Sequence, residues 1–363
     1  MNFSHILNSK KIALSVVLGV FLTFCTCKTF AIQHEEHAAE AQSHNAHEEQ
    51  GEEKFEPSEV ILEHIADSHS FHIAGHWAVP LPVILYTDQG IETFSSAKFE
   101  HGHADYQGKY YTYRLVKEKV KVVDAEGNMV EGAKVYDFSI TKNVASMWLS
   151  IILLLVIFFS VAASYKKREG KAPKGLQSFL EPLIVFVRDD IARPNIGHKY
   201  QRFMPLLLTI FFFIWINNLI GLIPFFPGGS NLTGNIAVTF VLAVITLIVT
   251  NVNGNKYYWK HIFLPDVPFW LYPIMWPVEL VGVISKPFAL MIRLFANITA
   301  GHIIVLSLIS LIFVFKSAYV SLVSVPFVVF MDVLELLVAA LQAFIFTLLT
   351  ALFIGTAVEE HHH

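Results

Sequence analysis

Ser285-Lys286-Pro287-Phe288-Ala289-Leu290-Met291-Ile292-Arg293-Leu294-Phe295-Ala296-Asn297-Ile298-Thr299-Ala300-Gly301-His302 decides how this chain folds, because it sets charged residues inside a long apolar stretch. From residue 267 to 358 two apolar runs meet at Lys316-Ser317-Ala318-Tyr319. Each exceeds the roughly 20 residues that one perpendicular membrane crossing needs. They can be split into shorter spans, with a break at Pro287, or kept as two long, steeply tilted helices. An ionisable side chain at membrane depth costs a few kcal/mol or more and marks a functional candidate. The first run carries Glu279, Lys286, Arg293 and His302, and the second carries Asp332, Glu335 and Gln342. Glu279, Lys286 and Arg293 are spaced by seven, and a step of seven drifts by only about 20° on a helix. The three form one stripe, which Asn297 continues one turn further. Glu335 and Gln342 are also seven apart, with Asp332 one turn before Glu335. His302 falls about 180° from Arg293 at 3.6 residues per turn, so it faces away from the arginine toward the other seam. Ala300-Gly301 permits close helix approach there.

Polar glue between helices accounts for Asn297 or Ser285 taken singly, but suits Arg293 poorly. A guanidinium is never deprotonated, so it relays no proton. It offers a fixed positive charge that attracts a carboxylate and repels a passing cation. Glutamate and histidine can exchange protons when their surroundings tune them. A fixed cation flanked by titratable groups is what an ion path with a central barrier requires.

Outward from this stretch the rest of the chain reads as membrane protein. Of 363 residues 54% are hydrophobic and 15% charged, against about 25% charged in a soluble domain. The apolar residues gather in long uncharged runs after residue 146. The formal net charge of -4 is small and says nothing about nucleic acid, but the lack of a basic patch interleaved with aromatics sets that class of partner aside. Residues 147–165 form a first span, followed at once by Lys166, Lys167, Arg168, Lys171 and Lys174, which mark the cytoplasmic side. Residues 176–191 are amphipathic and predict a helix lying on the cytoplasmic surface. Residues 204–226 form a second span, stopped by Pro224 and Pro227-Gly228-Gly229, and 236–252 a third, followed by Lys256, Lys260 and His261. Five spans in all place the C-terminus in the cytoplasm. The fold class is an all-α polytopic membrane protein with about five transmembrane helices, an amphipathic surface helix and a small β-containing extracytoplasmic insert.

The segment before the spans divides in three. Residues 1–31 read as a secretory signal, with Lys10 and Lys11, an apolar run and Ala31 at the cleavage point; the other reading is an uncleaved helix. Both cysteines, Cys25 and Cys27, lie inside it, so cleavage leaves no thiol. Phe24 makes Cys25 a poor lipid-attachment site. Residues 32–79 read as an acidic, His-rich tether. His34, His37, His44 and His47 offer metal ligands in no catalytic pattern, and a solvated linker is the better reading; His69, His72 and His76 fall at roughly helical spacing. In 80–142, residues 111–123 and 132–140 alternate polar and apolar, with Asp124-Ala125-Glu126-Gly127-Asn128 as turn chemistry between them. This predicts a β-hairpin in a small insert with no catalytic group.

Ser285-Lys286-Pro287, with Arg293-Leu294-Phe295-Ala296-Asn297-Ile298-Thr299-Ala300-Gly301-His302, resembles the signature of subunit a of F-type ATP synthases. So do Leu341-Gln342-Ala343-Phe344-Ile345-Phe346, Leu348-Leu349-Thr350, the acidic Glu359-Glu360, and Asn217-Asn218-Leu219-Ile220-Gly221-Leu222-Ile223-Pro224. The resemblance covers about residues 147–360 and omits the insert. It implies that Arg293 is the essential arginine facing the carboxylates of a rotating c-ring and blocking a short circuit between two half-channels. Asn297, His302, Glu335 and Gln342 match polar positions of the inlet half-channel, with Asp332 as an extra member. Glu279 and Ser285 match the outlet. In some relatives the acid stands on the fifth helix and the histidine on the sixth; His302 and Glu335 exchange them, which predicts that the two lie close in space. Implied partners are the c-ring, subunit b of the peripheral stalk, other Fo and F1 subunits and membrane lipid, in a cell inner membrane. The chain has no G-x-x-x-x-G-K-[ST] loop, so phosphoryl chemistry belongs to partners; no cofactor or metal is expected, and no catalytic site of its own. A self-contained transporter or channel would show an internal repeat, and an intramembrane hydrolase a nucleophile with its base; neither is seen.

Overall fold

The computed structural model describes residues 61 and 65–359 apart from 75–76, 103, 117, 125–126, 131–134, 169–170, 224–227 and 265–266. The readings of residues 1–31 and 32–60, including the cysteines and His34 to His47, and of His76 lie outside the described residues, as does the side chain of His72.

Among the described residues, eight short strands precede the membrane helices: β1 Ser70–Ala74, β2 Trp77–Pro80, β3 Pro82–Thr87, β4 Gly90–Ser95, β5 Tyr106–Gln107, β6 Thr112–Val116, β7 Lys119–Val123 and β8 Tyr136–Asp137. They form three antiparallel sheets, β1-β2, β4-β3-β8 and β5-β6-β7, and the last two share the core of Val83, Leu85, Phe94, Phe99, Tyr113 and Val122. The hairpin predicted between 111–123 and 132–140 is not the one formed. The first stretch folds on itself, Val116 pairing with Lys119, and Glu118 takes φ +62° at the turn. The second sends β8 to β3, pairing Leu85 with Asp137 and Tyr86 with Tyr136. Asp124 to Asn128 does turn, but only to bring Met129 back onto Val123. The apolar phase sits on odd residues through Leu115 and on even ones from Val120. That slip of one marks a turn, since a one-residue shift swaps the faces of a strand.

Helices follow: α1 Lys142–Lys167, α2 Leu176–Phe186, a π turn Val187–Ala192, α3 Arg193–Ile196, α4 Tyr200–Leu222, α5 Ile236–Val252, α6 Lys256–Phe263, α7 Tyr272–Phe315 and α8 Ala318–Val358. Among the described residues, four helical stretches are long and apolar enough to cross a membrane: Lys142–Lys167, Leu176–Leu222, Tyr272–Phe315 and Tyr319–Val358. The pair α5–α6, bent by 105°, makes a fifth. Of the two readings of the C-terminal region, the long-helix one holds. α7 has 44 residues and α8 has 41, uninterrupted at Pro277, Pro287 and Pro326. At 1.5 Å per residue each exceeds about 60 Å, twice the hydrocarbon thickness, so both must lie steeply tilted.

The stretch read as a surface helix is helical, but its apolar side forms part of the bundle. Leu180, Ile184, Val187 and Ile191 are buried with α4 and the end of α8. The polar run that suggested a surface folds on itself: Arg188 donates to both carboxylate oxygens of Asp189 at 2.9 and 2.6 Å, and Arg193 donates to Asp189 at 2.9 Å. The π turn adds a residue and so rotates the following apolar stripe toward α8. There Gly355 has the Asn195 carbonyl oxygen where a Cβ would stand, which fixes the close approach of α8 to α3. Asn255 ties the same end of α8 to α6, its amide N–H donating to Ala357 O and its side chain to Val358 O, both at 2.8 Å.

Asp67 joins the strands to the helices. It accepts from the Thr141 hydroxyl at 2.8 Å and from the Asn143 amide at 2.9 Å, and so caps the first turn of α1 in place of Thr141, whose own side chain makes no cap bond. Beside it, buried His69 lies 3.2 Å by Nε2 from Asp137 and 3.7 Å by Nδ1 from Glu118. Burial draws the imidazole pKa down, but the hydrogen bond to Asp137 and the nearby negative charge of Glu118 outweigh it and hold it up at about 9. Burial pushes Asp137 and Glu118 up, yet hydrogen bonds with His69 leave both below their ordinary values. A raised histidine stabilises fully below its unfolded pKa of about 6.5 and loses that contribution as pH rises through about 9. Hydrogen exchange of β1 and β8, corrected for intrinsic rate, is therefore expected to accelerate between pH 7 and 10 in the wild type and not in His69→Gln. Unchanged protection in the wild type would show that the charged imidazole holds nothing.

Candidate proton-transfer site

α7 and α8 run antiparallel, and small residues let them close on each other. A Cβ at Gly301 would lie 2.5 Å from Oε1 of Glu335 and 2.9 Å from its Cδ. The glycine is thus the floor on which the Glu335 carboxylate rests. From there Oε1 meets Nδ1 of His302 at 2.7 Å, with the two side chains only 7% and 15% exposed. A short bond between such groups is of the charge-assisted kind, and holding it out of water strengthens it. Asp332, one turn before Glu335 and exposed, interacts electrostatically with both members of the pair. Gln342 is buried on the same side of α8 as Glu335.

The other seam has a different character. Arg293 and Asn297 are exposed on α7, and no described residue forms a hydrogen bond or ion pair with Arg293. Val281, Ile284, Phe288 and Ile292 around it are exposed too. Only 11% of the most apolar window of α7 is buried, against 61% for Leu176–Leu222, so this face of α7 is open along its length. Lys286 extends toward α8, its Nζ 5.8 Å from the centre of the Phe353 ring. Glu279 lies 3.7 Å by Oε2 from Nδ1 of His261 on α6, and the Ser285 hydroxyl donates to Gly282 O at 3.2 Å. The sequence-derived candidates therefore separate. His302, Glu335 and Asp332 come together; Arg293 and Asn297 stand apart on the open face; Glu279 and Ser285 sit toward the other end of α7.

Sequence reasoning missed the polar shell behind the pair. Asn218 on α4 donates to Ala339 O on α8 at 3.2 Å and accepts from the Thr233 hydroxyl at 2.6 Å. Thr299 on α7 donates to Gly234 O at 3.4 Å. Residues 230–235 between α4 and α5 thereby touch α7 directly and reach α8 through Asn218. Two adjacent asparagines inside an apolar span were the available signal, because a buried amide must find partners.

A family model described as "ATP synthase A chain" matches residues 144–355, and one described as a domain of unknown function (DUF8433) matches residues 60–138. The "ATP synthase subunit a" of Chloroherpeton thalassium is 50% identical over 233 residues, covering 63% of this chain and 69% of that one. The "ATP synthase subunit a 2" of Chlorobaculum tepidum is 50% identical over 230 residues, 61% and 64% of the two chains. The "ATP synthase subunit a" of Anaeromyxobacter is 43% identical over 263 residues, 68% and 63%.

Proposed function

The chain belongs to the ATP synthase A chain family and is thus a membrane-embedded stator subunit of the Fo proton channel; from that premise we propose how its residues divide the work. His302 and Glu335, with Asn297, Gln342 and Asp332, form an inlet half-channel that hands protons to the carboxylates of a rotating c-ring. Arg293 faces those carboxylates and blocks direct passage. Glu279 and Ser285 lead protons out after the ring has turned. The observation that carries this reading is the contrast within one helix: His302 is bonded and largely buried, while Arg293, nine residues earlier, stands unpaired on an open apolar face. A fixed cation on an apolar surface is costly unless another chain supplies its counter-ion.

The end bearing the strands is extracytoplasmic in this reading and the C-terminus is cytoplasmic, because Lys166, Lys167 and Arg168 end α1 on the opposite side from the strands. A proton falling through 100 mV then releases about 2.3 kcal/mol, which the ring converts to rotation. Partners are the ring, subunit b of the peripheral stalk and other Fo and F1 subunits.

ATP-driven acidification of inverted vesicles, with this chain as the sole source of its subunit, tests the reading. The pair gives a sharper form of the test. His302→Glu alone sets two carboxylates together, and Glu335→His alone sets two imidazoles together. Each single variant loses the charge-assisted bond, worth about 1.5–3 kcal/mol, and is expected to pump at least about tenfold more slowly. The double variant restores one acid and one base and is expected to pump several-fold faster than either single. Equal damage in all three would show that the two residues do not act as a pair.

A further inference from the structure

α6 leaves α5 at 105°, so where α5 crosses the membrane α6 lies close to the membrane plane. Its side chains suit that place. Tyr257, Trp259 and Phe263 are exposed, the last two rings stacked at 5.9 Å, and Lys256 and Lys260 stand exposed one turn apart. Aromatic rings beside lysines are what a helix in the headgroup layer carries. Asn255 binds this helix to the last turn of α8, and α7 begins at the same end of the bundle.

Against α6 a small pocket opens between α5, α7 and α8. Leu247, Val283, Pro287 and Phe353 give it apolar walls, and Thr250, Tyr258 and Lys286 contribute polar groups. Two of these groups are unsatisfied. Thr250 is 6% exposed, and its Oγ1 has no hydrogen-bond partner among the described residues. Lys286 meets no carboxylate among them, its Nζ standing 5.8 Å from the centre of the Phe353 ring. Glu279, the one acid on α7, lies instead near His261 at 3.7 Å. The Tyr258 hydroxyl already donates to Asn251 Oδ1 at 2.8 Å, and that of Thr356 at the edge of the pocket to Phe353 O at 3.0 Å. A buried hydroxyl without a partner and an ammonium without a counter-ion are each costly. One anion with several acceptor oxygens satisfies both.

Depth decides which anion. Lys286 comes 14 residues after Tyr272, the first residue of α7, which is about 21 Å along the axis. Because α7 is about twice as long as the hydrocarbon is thick, that distance is roughly 10 Å of depth, and the flexible lysine stem shortens it further. The ammonium therefore stands just beneath the headgroup layer. The pocket has room for phosphate oxygens and not for a whole lipid.

We propose that this pocket binds the phosphodiester of an anionic phospholipid. The non-bridging oxygens accept from Lys286 Nζ and from the Thr250 hydroxyl. Lys256 and Lys260 at the rim select lipids of net negative charge, and the apolar walls take the glycerol end of the acyl chains. The bound lipid is a wedge that fills the gap between α6 and the tilted pair α7 and α8, and it supplies the counter-ion that Lys286 lacks within this chain.

The site uses neither Arg293 nor the His302–Glu335 pair, and its test reads lipid instead of proton flux, so it stands or falls apart from the half-channel reading. Assembled complex is placed in phosphatidylcholine vesicles that contain a small fraction of either phosphatidylglycerol or phosphatidylcholine with a diazirine at the glycerol end of one acyl chain. After illumination, labelled peptides are quantified by mass spectrometry and normalised to Ile152, Leu153 and Val156, exposed apolar residues of α1. Phosphatidylglycerol is expected to label residues 256–263 and 283–287 at least about fivefold more than phosphatidylcholine does. Equal labelling by the two lipids in the wild type would overturn the proposal without any variant. Lys286→Gln combined with Thr250→Val is expected to abolish the preference at 283–287, whereas Lys286→Arg keeps it. A preference that survives the double variant, at matched amounts of assembled complex, would overturn the pocket and leave only the lysines of α6 attracting lipid. Millimolar inorganic phosphate is expected to leave the labelling unchanged. Its loss under phosphate would assign the pocket to the free anion and overturn the lipid.

Discussion

Arg293→Ala is expected to abolish ATP-driven acidification of inverted vesicles while the complex still assembles. The side chain is exposed and bonds no described residue, so its loss removes no packing from this chain. An exposed substitution of that kind moves stability by about 0.5 kcal/mol or less. Its effect on flux is of another order. Without a fixed cation, a ring carboxylate passing between the half-channels has nothing to hold it deprotonated, and nothing separates inlet from outlet. Coupled pumping should fall to background, at least about a hundredfold, which corresponds to some 2.7 kcal/mol. Arg293→Lys keeps the charge but loses the planar, two-pronged donor, and is expected to recover only a small part of the flux. The measurement pairs vesicle acidification with quantitation of assembled subunits. Unchanged pumping in Arg293→Ala would mean that the open stripe on α7 is only a membrane-facing surface.

The membrane helices were legible because their signals are one-dimensional. α5 Ile236–Val252 coincides with the apolar run read at 236–252, bounded by a capping asparagine whose side chain accepts from Ala237 at 2.9 Å. α1 begins five residues before the apolar run, since Asp67 caps it from far along the chain and no local pattern announces that. The pairing of His302 with Glu335 followed from helical phase together with the exchanged acid and base. Phase could not say that residues 176–191 pack inward. That depends on a π turn, which adds a residue without any composition mark, and on Gly355 admitting the Asn195 carbonyl. The strand pairing failed for a similar reason. Alternation reports which face a residue takes but not its partner, and the phase slip near Glu118 was the one local sign of the true turn. The shell of Asn218, Thr233 and Thr299 draws on three separate segments, and so becomes visible only when they meet.

Gly301→Ala is expected to slow proton pumping by roughly tenfold or more, with little loss of assembled complex, and the geometry explains the imbalance. The new methyl group would stand 2.5 Å from the Glu335 carboxylate oxygen and 3.0 Å from Cγ. No real contact is that short, so something must move. The obstacle is a side chain and not the backbone of α8, so the helices need not part, and overpacking by one methyl typically costs about 1–3 kcal/mol. The carboxylate yields instead, and in yielding it leaves His302, whose Nδ1 it holds at 2.7 Å. The functional loss then follows from a displaced proton-transfer partner, since even a misplacement of about 1 Å can cost a hundredfold. Glu335→Asp shortens the same side chain by one methylene and draws the carboxylate back from position 301. In the Gly301→Ala background it should recover flux, although Glu335→Asp by itself should impair it by lengthening the bond to His302. A general packing defect at residue 301 predicts the opposite, because a smaller residue at 335 would add a cavity without relieving the backbone. Reciprocal rescue in vesicle acidification, at matched amounts of assembled complex, therefore distinguishes a glycine that positions the carboxylate from one that merely lets two helices touch.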